Sequence, residues 1–297
     1  MSFTLTLISA PADPAVSADL VAEVQSIIHV DTDFTWLMEG VACDFVIPHH
    51  PDYANLRAEL FAALGGAPVD VIFQPSKGRK KKLLLADMDS TMIQQECIDE
   101  LADEVGLKEK VSDITARAMR GEIEFEPALK ERVGLLKGLS LDIVDKLFAE
   151  RITFTPGGKA LVHTMKANGA YCALVSGGFT HFTSRVREIL GFDEDRANLL
   201  IEKEGLLTGE VGMPILGKDA KLARLNALIK EHELAPSETM AVGDGANDLP
   251  MIMSAGAGVA LHAKPKVAAQ AEFVINHGDL TGLLFLQGYK AEDFVLA

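Results

Sequence analysis

The chain has 297 residues and a net charge of −15, with apolar and charged contents ordinary for a globular protein. That length suits two domains of ~150 residues each. The acidic balance argues against a nucleic-acid partner, which needs a positive face, and apolar runs such as 83–86 and 255–261 are too short to span a bilayer, so no membrane partner is expected.

From the N-terminus, no basic segment leads into an apolar run with a small-residue cleavage site, so no signal peptide is read. Phe3–Ile8 alternates like a strand and Ala18–Ile28 has helical apolar spacing. Residues 35–38 and Ala42–Ile47 read as paired strands with Glu39-Gly40 near the turn. Tyr53–Leu64 reads as a helix stopped by Gly65-Gly66, and 69–73 as a strand. The order βαββαβ is a ferredoxin-like split. By order of elements alone it resembles an ACT-type module, which implies a regulatory or dimerisation role for residues 1–76. The one clear composition shift, PSKGRKKK at 75–82, reads as a solvated basic linker.

Beyond the linker, 82–86 is a compact apolar strand ending at Asp87, and 95–150 is helix-rich with no convincing strand. From Pro156 helices and strands alternate: helices at 159–167, 179–190, 220–231 and 248–254, strands at 171–175, 240–242, 258–261 and Phe273–Ile275. Residues 199–201 and 206–208 flank a hairpin at Glu204-Gly205. This rhythm predicts an α/β fold for 77–297: a Rossmann-like, mostly parallel sheet covered on both faces. The block at about 95–150 interrupts it directly after the first strand, as an inserted helical cap would.

In open α/β sheets ligands bind beyond the carboxyl ends of the strands. Four polar clusters fall at or near such positions: Asp87-Met88-Asp89-Ser90-Thr91, Ser176-Gly177-Gly178, Lys221, and Gly243-Asp244-Gly245-Ala246-Asn247-Asp248. Carboxylates two residues apart at a strand end repel and need a cation, a shared proton or both. Magnesium, with its preference for a few carboxylates, waters and phosphate oxygens, fits that need, and Asp244 can add a further carboxylate. Alone, Ser176-Gly177-Gly178 reads more readily as a flexible turn, Lys221 has Lys218 as a rival, and Asn247-Asp248 reads equally as a helix N-cap.

In their order, DMDST, SGG, the isolated Lys221 and GDGAND resemble the haloacid dehalogenase-like phosphatases. DSTMIQQE, IDELA, FEPALKERVGLLKG, VSGGF and AVGDGANDLPM narrow the likeness to the phosphoserine phosphatase family within them, over most of 83–275. The resemblance implies a magnesium-dependent hydrolysis of O-phospho-L-serine, the last step of serine biosynthesis, through a phospho-aspartate on Asp87. Asp89 would be the general acid and then the general base, a role that requires it to hold a proton at the outset. Asp87, the backbone carbonyl of Asp89 and Asp244 would hold the metal. Ser176 and the Gly177 amide would grip the phosphate, Lys221 would neutralise it, and Asn247 would donate to it. Asp248 would orient the metal site. In the cap, Glu96 would meet the substrate ammonium and Arg132 its carboxylate, with Met119 and Phe125 as an apolar wall.

Without the resemblance, Glu96 could be an ordinary early-helix acid and Arg132 could pair with Glu131 or a neighbouring helix on the surface. The core motifs leave open a phosphatase for another small phosphomonoester, or a phosphotransferase to an alcohol such as homoserine. A non-enzymatic amino-acid sensor fits the sequence less well, because every expected catalytic position is filled. His181 reads as a helix-surface residue near the site. Cys43, Cys97 and Cys172 form neither a disulfide framework nor a zinc pattern, which places the chain in a reducing cytoplasm. Free serine or another amino acid as an effector of the N-terminal unit, and a homodimer, stay open.

Overall fold

The computed structural model describes residues 2–28, 34–48, 53–119 and 122–296. The chain begins β1 (Phe3–Ile8), α1 (Ala18–Ile28), β2 (Phe34–Met38), β3 (Ala42–Ile47), α2 (Tyr53–Leu64), β4 (Asp70–Pro75). These strands form an antiparallel sheet in the order β2-β3-β1-β4. Side chains alternate across a strand, so Leu5, Leu7, Phe45 and Ile47 share an apolar cluster with Val24 of α1 and Leu60 of α2. Ile8, Ala42 and Ile72 belong instead to the large cluster that contains Ile275 and Leu283, so the central strand β1 is buried on both faces.

β5 (Leu83–Ala86) opens the second unit and leads into four helices, α3 (Cys97–Glu104), α4 (Lys108–Met119), α5 (Phe125–Gly134) and α6 (Asp142–Glu150). Then come α7 (Gly158–Ala167), β6 (Tyr171–Phe179), α8 (Thr180–Leu190), β7 (Glu194–Asn198), β8 (Leu200–Lys203), β9 (Leu206–Val211) and α9 (Lys218–Glu231). The chain finishes with β10 (Thr239–Gly243), α10 (Leu249–Ser254), β11 (Ala257–Leu261), α11 (Pro265–Ala268), β12 (Phe273–Ile275) and α12 (Gly282–Leu286). The six-stranded sheet runs β12-β11-β10-β5-β6-β7, parallel throughout. β5 and β10 are buried along their whole length, which is why they read as continuous apolar runs rather than alternating ones. Strand order reverses at β5, between β6 and β10, and that reversal opens a crevice at the carboxyl ends of those three strands.

One strand carries no apolar signal in the sequence, and one expectation needs correction. β7 has the sequence EDRAN, without apolar alternation; it is an edge strand whose Glu194 pairs with Arg224 of α9, at 2.5 Å, instead of entering the core. The basic stretch at 75–82 is a solvated linker only in part: Lys77, Lys80 and Lys82 are exposed, but Arg79 and Lys81 are not. Arg79 donates to Asp44 at 2.6 Å and to the carbonyls of Phe285 and Leu286, while Lys81 is buried and donates to the carbonyls of Gly78 and Ser237. The buried Asp70 carboxylate accepts the N–H groups of Asn276, His277 and Gly278. These cations and this anion tie the N-terminal sheet to the second unit.

The β8–β9 hairpin props up the four-helix segment. Gly138 N–H donates to Leu207 O, Leu207 N–H to Leu139 O, and Leu141 N–H to Gly205 O, all within 2.9 Å. Among the described residues, no helix is long and apolar enough to cross a membrane.

Candidate active site

Asp87 directly follows β5, Asp244 directly follows β10, and Ser176 lies within β6, so the crevice collects all three. The Asp87 amide is held by the Val242 carbonyl at 3.0 Å, and Asp87 Oδ1 accepts the Met88 amide at 2.7 Å. Lys221, in the first turns of α9, reaches Asp87 Oδ1 at 2.7 Å and Asp248 Oδ1 at 2.5 Å. This amine is 3 % exposed and the Asp248 side chain 0 %. Asp248 Oδ2 also accepts the Gly245 amide at 2.9 Å. Asp248 does stand at the N-cap position of α10, but its side chain makes no capping bond there and spends both oxygens on the site. A Cβ on Gly243 would lie 2.3 Å from Asp248 Cγ, so that packing requires glycine.

Asp87, Asp244 and Asp248 each offer a carboxylate oxygen within 4.8 Å of the others, and all three are buried. Burial and then the Asp248 charge raise the Asp87 pKa above the usual carboxylate range, against the pull of Lys221. Burial and the same Asp248 charge push Asp244 up to about 6. Burial by itself would lower the Lys221 pKa, but Asp87 and Asp248 outweigh it and the net shift is upward, so the amine stays charged. One ammonium among three close carboxylates leaves an excess of negative charge. A hard cation fits both that excess and the all-oxygen donor set.

Asp89 sits apart from that trio. Its Oδ1 accepts the Cys97 amide at 2.9 Å and its Oδ2 accepts the Ser176 hydroxyl at 3.1 Å. Ser176 Oγ in turn accepts the Gly178 amide at 2.8 Å. The SGG segment is thus the irregular end of β6 and not a loose turn. A Cβ on Gly178 would fall 2.7 Å from Asp89 Oδ2, so only glycine lets Asp89 approach.

A cleft of 450 Å³ runs from these groups to the four-helix segment. Asp89, Glu96, Arg132, Ser176, Gly177 and Asn247 line it together. Glu96 accepts the Ser90 hydroxyl at 2.7 Å; burial and then the Asp89 charge raise its pKa to about 7. Arg132 is half-buried and bonds to the neighbouring helix α4, not to Glu131. Its Nη1 donates to Thr115 Oγ1 at 3.1 Å and its Nε to the Ala128 carbonyl at 3.3 Å, with Asp99 and Glu96 as the nearby charges. Phe125 is 36 % exposed, and its ring closes to 3.8 Å on the position a Gly177 Cβ would take, so the four-helix segment reaches across the cleft there. The side chains of Met119 and Lys218 lie outside the described residues. His181 lines a separate groove with Asp145 and Arg185 and is absent from this cleft. Thr115, Lys264 and Asn198 were not singled out from the sequence. Thr115 and Lys264 line the cleft, and Asn198 bonds to the SGG segment. None of them stands in a recognisable motif.

The family model for haloacid dehalogenase-like hydrolases matches residues 84–253. A phosphoserine phosphatase of Polaromonas sp. is 45% identical over 74% of this chain and 96% of its own. A crystal structure of a haloacid dehalogenase family hydrolase from Salmonella enterica serovar Typhi superposes with a TM-score of 0.85 at 28% identity, over 96% of this chain and 98% of that one. A phosphoserine phosphatase solved as a phospho-aspartyl intermediate analogue matches with a TM-score of 0.64 at 42% identity, over 69% of this chain and 98% of that one.

Proposed function

The chain belongs to the haloacid dehalogenase-like hydrolases, among the phosphoserine phosphatases, and from that premise we propose that it hydrolyses O-phospho-L-serine to serine and phosphate with Asp87 as nucleophile. The observation that carries this reading is the buried Asp87 carboxylate held by Lys221 beside a second acid, Asp89, at the mouth of a cleft that also contains Glu96 and Arg132. Asp87 attacks phosphorus as the bond to the serine oxygen breaks, and Asp89 passes its proton to the departing alkoxide. Asp89 then takes a proton from water. The water oxygen bonds to phosphorus, the bond to Asp87 breaks, and phosphate leaves. Ser176 and the Gly177 amide hold the phosphoryl oxygens, Asn247 donates to them, and Lys221 offsets their charge. Magnesium would sit against Asp87, the Asp89 carbonyl and Asp244, with Asp248 orienting the site, and when bound supplies charge that lets phosphate approach the carboxylates.

At the other end of the cleft, Arg132 takes the substrate carboxylate and Glu96 its ammonium. Phe125 walls off water as the helical segment between β5 and β6 acts as a cap over the core. Phosphate release from phosphoserine, sugar phosphates and simple alkyl phosphates tests the reading. Phosphoserine is expected to be preferred, and a chelator to abolish release until magnesium is restored. Equal rates on alkyl phosphates would reject phosphoserine as the substrate, and transfer to homoserine in place of water would reveal a phosphotransferase. Arg132→Ala is expected to raise KM for phosphoserine by roughly 10- to 100-fold, the worth of a charge-assisted hydrogen bond. It should leave O-phosphoethanolamine, which lacks the carboxylate, within about twofold; steady-state kinetics on both substrates check this.

Residues 1–76 are assigned to regulation or dimerisation, with free serine or a similar amino acid as the effector class. Their βαββαβ order supports this, and the Asp70 and Arg79 ties give an effector a mechanical route to the core. The three buried free thiols suit a reducing cytoplasm.

A further inference from the structure

We infer that Asn198 is a positioning residue for the phosphate-gripping segment. It is 1 % exposed, and it ends β7, the edge strand beside β6. Its Nδ2 donates to the Gly177 carbonyl at 2.8 Å and, less closely, to the Leu216 carbonyl at 3.4 Å, while its Oδ1 accepts the Leu216 amide at 2.7 Å. One buried side chain thereby joins the end of β6 to the segment that enters α9, where Lys221 sits.

The geometry makes this more than a tie between strands. A trans peptide is planar, with its carbonyl and amide on opposite sides. Drawing the Gly177 carbonyl toward Asn198 turns the amide of the same peptide, Gly178 N–H, the other way, onto Ser176 Oγ at 2.8 Å. With that lone pair engaged, the Ser176 hydroxyl directs its own proton to Asp89 Oδ2 at 3.1 Å. A single chain of donors therefore runs from Leu216 N–H through the Asn198 amide, the Gly177-Gly178 peptide and Ser176 to Asp89. Each bond polarises the next. Glycines at 177 and 178 permit the close approach but leave that peptide free to rotate. Asn198 removes the freedom. Aspartate at the same position would still accept the Leu216 amide but would set a carboxylate oxygen against the Gly177 carbonyl.

This inference rests on the roles given above to Ser176 and Asp89, and its test is built on the difference between the two halves of the Asn198 amide. In the full-length chain with magnesium, Asn198→Asp and Asn198→Ala are compared with the native protein for kcat and KM on phosphoserine, inhibition by orthophosphate, and melting midpoint. Both variants are expected to lose about 10- to 100-fold in kcat/KM, chiefly in kcat, the scale of an orphaned buried hydrogen-bonding group. Orthophosphate inhibition should weaken at least fivefold. The preference for phosphoserine over O-phosphoethanolamine should stay within twofold, because Arg132 is untouched. Folded Asn198→Asp keeping kcat within threefold of native, with unchanged orthophosphate inhibition, would overturn the inference and leave Asn198 as a strand tie. If that variant does not fold, Asn198→Ala decides by the same thresholds. A native chain that released no phosphate from phosphoserine would count against the proposed function. The rise in melting midpoint with added orthophosphate, read without turnover, would then still decide on Asn198: lost in the variants it supports the inference, kept it overturns it.

Discussion

Asp87→Asn is expected to cut phosphoserine turnover by on the order of 10⁴-fold or more, to the detection limit of a phosphate-release assay. An amide oxygen cannot form a stable bond to phosphorus, and removing a covalent nucleophile is among the costliest single changes an enzyme can suffer. The loss should be chemical and not conformational. Burial and the Asp248 charge raise the folded-state pKa of Asp87 above its ordinary value, so the ionised form opposes folding at neutral pH. A neutral amide relieves that repulsion, keeps an acceptor for the Met88 amide and leaves Lys221 its contact with Asp248. The melting midpoint should therefore be unchanged or higher. Normal turnover in this variant would place the nucleophile elsewhere, and a lower midpoint with residual activity would show Asp87 to be structural.

Lys221→Met is expected to damage both activity and folding. The ammonium bridges Asp87 and Asp248 in a site where it is 3 % exposed, so its removal strands two buried carboxylates. Breaking a buried pair by deleting one partner costs about 3–5 kcal/mol. Loss of the charge that faces the phosphoryl group should lower kcat a further ~10²- to 10³-fold. Magnesium should restore part of the lost melting midpoint, because it neutralises the same carboxylates. Calorimetry with and without magnesium, beside steady-state kinetics, checks both halves. Lys218, three residues before Lys221 at the start of α9, is the control: Lys218→Met should keep kcat within about threefold. A reversed outcome would exchange their roles.

Much of the site was legible because the chemistry needs short, dense motifs placed at strand ends. Asp87 and Asp244 each follow a wholly buried strand, and in an open parallel sheet ligands bind beyond the carboxyl ends of such strands. Arg132 and Glu96 could be assigned only through family likeness. Nothing in their local sequence separates a cleft-lining charge from a surface one, and it is α5 and the start of α3 meeting over the same cleft that brings them together. β7 escaped notice because an edge strand need not bury apolar side chains, and Asn198 went with it. Within the basic run at 75–82, the ties of Arg79 and Lys81 were not legible because composition records charge but not the partner, and Asp44 lies 35 residues upstream of Arg79.

The sequence alone determined the α/β class, the order of elements in the N-terminal unit and most of the alternation in the second, and the set of acids and the amine available for phosphoryl transfer, since these follow from apolar periodicity and from motifs a few residues long. Only the tertiary structure decided that Lys221 bridges Asp87 and Asp248, that Asp248 serves the site instead of capping α10, and that the N-terminal sheet is locked to the core. Those outcomes depend on groups distant in sequence meeting out of water. There an unpaired charge or amide is costly, so the partners that satisfy it are chosen by packing, which no local stretch of residues encodes.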